Sequence, residues 1–289
     1  MNPVSFVVVQ CLNALALAAL LCFISLGLTL IFGIMRIINF AHGALYMLGA
    51  YVGFSVAHAT GQYWPVLLIA PALVGAIGVG LEATVLRPLY RRPHGAFLLV
   101  TFGLALVTAE AIRLGWGPEP HRLAIPALLD GSVSIAGEPF PVYRLFLAVA
   151  GFVVVAGLWL FLEKTRLGLI IRGTAQNAEM VHALGTDVRL VRSAVFGIGC
   201  GLAGIGGVFA APLVTASLAM APNAVIDTFV IVIIGGMGSF AGSLIGALLV
   251  AFVQVFGTYY FPDLALALMY LVMLTVLVVR PGGLLGKEA

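Results

Sequence analysis

Residues 4–35 read VSFVVVQCLNALALAALLCFISLGLTLIFGIM, and not one of them carries a charge. Roughly 20 apolar residues cross a bilayer as helix. A run this long, closed by Arg36, predicts a membrane-spanning helix rather than the core helix of a water-soluble domain. It also argues against a cleavable leader. No Lys or Arg precedes Arg36 to form a basic n-region, and the apolar run outlasts an h-region.

The same reading continues along the chain. Apolar segments recur at about 41–60, 64–86, 96–115, 144–162, 192–213, 223–236, 241–261 and 263–279, separated by charges, prolines and glycine clusters. Hydrophobic residues make up 62% of the sequence and charged residues 9%. A soluble domain carries about 25% charged residues, so this chain lacks the polar surface that water demands. The predicted fold class is an all-α membrane protein, a polytopic bundle of about eight or nine transmembrane helices. It forms one transmembrane domain over 1–289. The segment around 225–234 is short enough to be a broken or re-entrant helix, which needs shelter from protein or a water-filled cavity.

Basic residues set the orientation. With the N-terminus outside and nine crossings, every Lys and Arg except Arg113, Arg122 and Arg144 falls on the inner side. The expectation is therefore N-terminus outside and C-terminus cytoplasmic. Two loops are long. The outer one, about 116–143, is rich in Gly and Pro and suits an irregular cap or short hairpin. The inner one, about 163–191, is the most polar stretch of the chain.

Other features exclude functions. The net charge of +3 is scattered and forms no aromatic-interleaved basic stripe, so nucleic acid is not an expected partner. Cys11, Cys22 and Cys200 lie in apolar runs without metal or redox spacing and read as buried thiols. The pairs Gly49/Gly53, Gly197/Gly201 and Gly242/Gly246 have the spacing that lets helices approach closely. No convergent set of nucleophile, base or metal ligands is visible, so an enzyme is not expected. The tail Pro281–Lys287, PGGLLGK, resembles a phosphate-binding loop only superficially. It lacks the first glycine and places Glu288 where a hydroxyl is needed. The chain has no motor of its own.

Polar residues inside apolar segments are expensive and become functional candidates. Glu110 has Arg113 one turn later, at a spacing that permits an ion pair. Glu82 has arginines nearby and reads as structural. Asn39 and His42 sit where the first two spans break, suited either to satisfying freed backbone groups or to lining an inner gate. Gly235 and Gly236 open a second break, which carries the chain from an inward to an outward span as the first does. The two breaks are candidates for related halves of a pseudo-symmetric core. Asn13 and Gln254 lie within spans, as interhelical hydrogen bonds or pathway lining. Asn13, Asn39, His42, Glu110, Gly235, Gly236 and Gln254 are thus the pathway or gate candidates.

Within the inner loop, Thr174 is suited to cap a helix and Gly185 to stop one. One short amphipathic helix is expected over about Ala175 to Leu184. Two readings fit it: a helix lying on the membrane surface, or one docking into a groove on a partner.

Several blocks resemble a known family. Gly33-Ile-Met-Arg-Ile-Ile-Asn-Phe-Ala-His-Gly43 followed by Met47-Leu-Gly-Ala-Tyr51 is similar to the hallmark of branched-chain amino acid ABC transporter permeases. Ile234–Gly246 resembles a second signature, the inner loop resembles the coupling segment, and Val279–Gly286 resembles the C-terminal pattern. The resemblance runs from about residue 10 to 286. It implies an ATP-driven importer for branched-chain amino acids or related small solutes, working by alternating access in the bacterial inner membrane. It implies a second homologous permease or a self-dimer, two ATPase subunits that use ATP and magnesium, and a periplasmic solute-binding protein. The chain itself would bind no cofactor. By position, Thr174, Ala175, Gln176, Asn177, Glu179, Met180, Leu184 and Gly185 would form the ATPase-coupling helix. The competing classes are an ion-gradient-driven transporter using Glu110, and a membrane enzyme or structural subunit.

Overall fold

A computed structural model describes residues 3–286. Lys287 and Glu288, which entered the reading of the tail and of the charge bias, lie outside the described residues. In hydrocarbon every peptide group must find its partner inside the protein, which leaves the helix as the default element. The chain accordingly builds α1 (Pro3–Met35), α2 (His42–Thr60), α3 (Val66–Leu81), α4 (His94–Trp116) and α5 (Val142–Lys164). It continues with α6 (Arg166–Gln176), α7 (Ala178–Ala183), α8 (Val188–Val214), α9 (Met220–Gly235), α10 (Phe240–Tyr260) and α11 (Ala265–Val279). Each of the nine expected segments is a helix.

Among the described residues, 7 helical stretches are long and apolar enough to cross a membrane. They are α1, α4, α5, α8, α10, α3 together with the turns that follow it, and α11 together with the turn before it. Of the other two, α9 is shorter and α2 is less apolar. At about 1.5 Å per residue, the 19 residues of α2 and the 16 of α9 are marginal for the hydrocarbon core. Both are sheltered. One whole face of α2 is buried from His42 to Gly53, and α9 buries Thr228, Val230, Ile231, Val232 and Ile234.

Helix α8 is the axis of the bundle and packs along α1, α2 and α3. Its glycines make this possible. A Cβ on Gly199 would lie 2.7 Å from the carbonyl oxygen of Gly27 on α1. The three small-residue pairs all serve internal packing: Gly49 meets Gly204, Gly197 and Gly201 meet Gly75, and Gly242 meets Gly235. Cys22 and Cys200 are buried and Cys11 partly so, all as free thiols.

The loops gather at two ends. At one, β1 (Ser132–Ile135) and β2 (Glu138–Pro141) form an antiparallel hairpin with Ile135 opposite Glu138. Its two-residue turn puts Ala136 at φ 52° and Gly137 at φ 84°, the left-handed pair that matches strand twist. The same loop is tied to the α8–α9 turn by two bonds, His121 N to Ala216 O at 2.9 Å and Ala216 N to His121 O at 2.8 Å. At the other end, Leu284 N and Leu285 N donate to the carbonyls of Ile234 and Gly235 at 2.8 and 3.0 Å. The tail thereby satisfies acceptors that the end of α9 leaves open.

Two expectations need correction. The inner loop does not hold one helix over Ala175–Leu184. It is split at Asn177, with α6 before and α7 after. Thr174 is not a cap. It is buried inside α6, where its hydroxyl donates to Ile170 O at 2.8 Å. The caps are Thr165, which accepts from Gly168 N, and Asn177, which accepts from Met180 N.

Candidate functional site

One end of the bundle, the inner one on the expectation from the basic residues, carries the candidate coupling site. Helices α6 and α7 meet at an elbow whose corner is Asn177, with extended backbone at φ −151° and ψ 94°. Its Oδ1 accepts from Met180 N at 2.9 Å, fixing the first turn of α7. Gly185, at φ 90°, ends the motif as a left-handed residue. Thr174 and Ala175 face inward, with Ala175 against the apolar cluster of α1, α8 and α10. Gln176, Asn177 and Glu179 are exposed. Met180 and Leu184 are 58% and 78% exposed. So the structure brings all eight predicted coupling residues into one projecting elbow with an inner anchor and an outer apolar face.

Behind the elbow, Glu82 opens a π-helical turn, Glu82–Leu86, at the end of α3. It is fully buried and accepts from Arg87 Nη2 at 2.9 Å, Tyr90 Oη at 2.6 Å and Ser193 Oγ at 2.5 Å. Three donors on one carboxylate make a satisfied structural cluster, as the sequence reading held.

The pathway candidates separate into groups. Asn39 and His42 lie together at the α1–α2 break, where Arg36 adopts φ 51°. Asn39 Oδ1 accepts from Ala41 N at 3.1 Å, and His42 Nε2 lies 2.8 Å from Ile24 O. Both are buried, and Asn39 Nδ2 and His42 Nδ1 have no partner. Gly235 and Gly236 form the second break. The two breaks are neighbours, since a Cβ on Gly33 would lie 3.7 Å from Gly238 O. One turn deeper, Thr29 Oγ1 and Ser243 Oγ are 2.5 Å apart, joining α1 to α10.

Asn13 and Glu110 stand apart from these breaks. Asn13 Oδ1 accepts from Arg144 Nη1 at 2.5 Å, an α1–α5 link at the opposite end. Glu110 is clasped by Arg113 through Nε at 2.8 Å and Nη2 at 2.5 Å, and both side chains are about half exposed.

Gln254 reveals a residue that the sequence reading passed over. Its Nε2 donates to Asp227 Oδ1 at 3.3 Å and lies 3.2 Å from Met269 Sδ. Asp227 stands in α9 and makes no ion pair among the described residues. The signal was available: it is the one acid in the segment 223–236.

The comparisons with known proteins agree with this architecture. The family model for the branched-chain amino acid transport system permease component matches residues 10–277. The high-affinity branched-chain amino acid transport system permease protein BraD of Pseudomonas aeruginosa is 28% identical, covering 96% of this chain and 95% of its own. The corresponding protein LivH of Escherichia coli strain K12 is 27% identical, with coverage of 96% and 95%. A probable LivH of Methanocaldococcus jannaschii is 27% identical, with coverage of 96% and 91%. No solved structure matches the chain. A family match over nearly the whole length, on a bundle of membrane-spanning helices, leads to one conclusion: the chain belongs to the permease family of branched-chain amino acid ABC transporters, as a multi-pass inner-membrane transport subunit and not an enzyme.

Proposed function

We propose that this chain is the pathway-forming subunit of an ATP-driven importer for branched-chain amino acids or related small solutes. It works by alternating access, and separate ATPase subunits that use ATP and magnesium supply the energy. It pairs with a second permease, homologous or identical, above two ATPase subunits, and receives solute from a periplasmic binding protein. The N-terminus lies outside and the elbow faces the cytoplasm, in keeping with the basic residues of the inner loops.

The observation that carries this reading is the α6–α7 elbow. It projects Met180 and Leu184, two large apolar side chains, while Thr174 and Ile171 anchor its other face. An exposed apolar pair on a capped, anchored helix fits a groove on a partner. The anchor supplies the mechanical link: α6 packs on α5, α1 and α8, so displacement of the elbow reaches three spans. Against Glu110 as an ion-coupling carboxylate stands its pairing with Arg113.

The test is uptake into vesicles holding the permease pair, the ATPases and the binding protein. Transport of branched-chain amino acid should require internal ATP and survive collapse of ion gradients. Uptake by this chain alone under a proton gradient would refute the reading.

A further inference from the structure

At the inner end of the bundle a cavity of roughly 310 Å³ lies between the end of α1, the turns after α3, the start of α4 and the elbow. Arg36, Arg92 and Arg192 line it, and no Asp or Glu is among its lining residues. None of the three makes an ion pair among the described residues. Arg192 is the most confined. Its guanidinium carbon sits 4.9 Å from the centroid of the Tyr90 ring, and its Nε is buried without a hydrogen-bond partner. The nearby acid Glu82 offers no relief, since Arg87, Tyr90 and Ser193 already occupy it.

Three guanidinium groups around one small space repel one another, and a buried N–H without an acceptor is costly. Both costs are offset by one anion with several acceptor oxygens. Guanidinium forks match the oxygens of phosphate particularly well. The rest of the wall is mixed, with Ile37 and Phe97 buried against it and Tyr90, Thr174 and Gln176 as its uncharged polar members. A basic pocket among the ends of spanning helices is where a lipid headgroup lies.

We propose that this cavity binds a phosphate-bearing anion, with the headgroup of an anionic phospholipid as the source that fits its setting. Thr174, Ala175, Gln176 and Ala178 also line it. A bound phosphate therefore touches the elbow from behind and bridges it to α1 and α8. Occupancy of the cavity stiffens the elbow, so the surrounding lipid tunes coupling. The site is independent of how transport is driven.

The experiment is native mass spectrometry of the purified full chain with phosphatidylglycerol, phosphatidylethanolamine or inorganic phosphate, paired with thermal unfolding. Wild type should hold one phosphatidylglycerol in preference to phosphatidylethanolamine and gain thermal stability from it. Arg92→Gln and Arg192→Gln should each weaken retention about tenfold. Arg192→Lys keeps the charge and tests folding, and Arg122→Gln at the opposite end should change nothing. If inorganic phosphate alone protects wild type and the Gln variants lose that protection, the anion class stands with a soluble source. Equal retention of both lipids, with wild type and Gln variants alike and no effect of phosphate, would overturn the proposal. So would loss of ATPase binding in the Gln variants with lipid and phosphate binding unchanged, because the occupant would then be a protein carboxylate.

Discussion

Glu82 and Ser193 are 2.5 Å apart, the carboxylate just after α3 accepting from the hydroxyl near the start of α8. This bond joins two spans 111 residues apart in sequence, a few residues after the elbow hands the chain to α8. Glu82→Ala removes the acceptor for three donors and leaves the Tyr90 hydroxyl without the carboxylate it donates to. We expect it to cost about 2 kcal/mol or more, and Ser193→Ala about 1 kcal/mol. Thermal unfolding in detergent reads both. Stability unchanged in Glu82→Ala would show that the cluster holds nothing together.

The elbow makes a sharper prediction than a helix alone would. Met180→Pro deletes the N–H that Asn177 caps. Asn177→Ala deletes the cap and should cost the helix about 1 kcal/mol. In the assembled transporter, both should leave ATP hydrolysis in place and lower transport per ATP, with the Pro variant the more severe. Met180→Asp or Leu184→Asp should instead weaken ATPase binding, because they change only the projecting face. Normal coupling in Met180→Pro would remove the elbow from the mechanism.

Much of this architecture was legible in the chain because membrane burial excludes charge so strictly. Nine apolar segments became nine helices, and the gaps at Arg36 and Gly236 became real breaks. The elbow was less legible. Asn177 has the residue type of an N-cap, but it sits in a run from Ala175 to Leu184 that otherwise tolerates helix, and Thr174 offered a competing cap three residues earlier. Thr174 has the residue type of a cap but spends its hydroxyl on Ile170. The arginine cavity was invisible for another reason: Arg36 after α1, Arg92 before α4 and Arg192 in the first turns of α8 are far apart in sequence and meet only in three dimensions.

Glycine positions divide into two classes that a single substitution separates. Gly199→Ala would drive a methyl into the Gly27 carbonyl and the Ile31 side chain, each 2.7 Å away. Overpacking of this kind costs about 1–3 kcal/mol. Gly103 and Gly157 meet nothing within 4 Å, so Ala there should be neutral or slightly stabilising in the isolated chain. If either substitution leaves the isolated chain intact yet weakens assembly of the permease pair, the affected helix faces the second permease. Equal thermal stability for Gly199→Ala and Gly103→Ala would contradict the role of α8 as the tightly packed axis.

Asp227 separates a structural from a transport role. Gln254 donates to it, and Asn at position 227 still accepts through its amide oxygen. Asp227→Asn therefore keeps the hydrogen bond and the shape while removing the charge. A carboxylate retained inside a span without a cationic partner is expensive unless the charge is used. We expect Asp227→Asn to fold normally and to lower uptake about fivefold or more, the equivalent of roughly 1 kcal/mol in the barrier. Gln254→Leu should do the reverse, costing about 1–3 kcal/mol of stability by stranding the acceptor. Uptake measured alongside thermal unfolding distinguishes the two. Full transport by Asp227→Asn would reduce the residue to a helix-packing group, because that substitution keeps the bond to Gln254 and removes the charge.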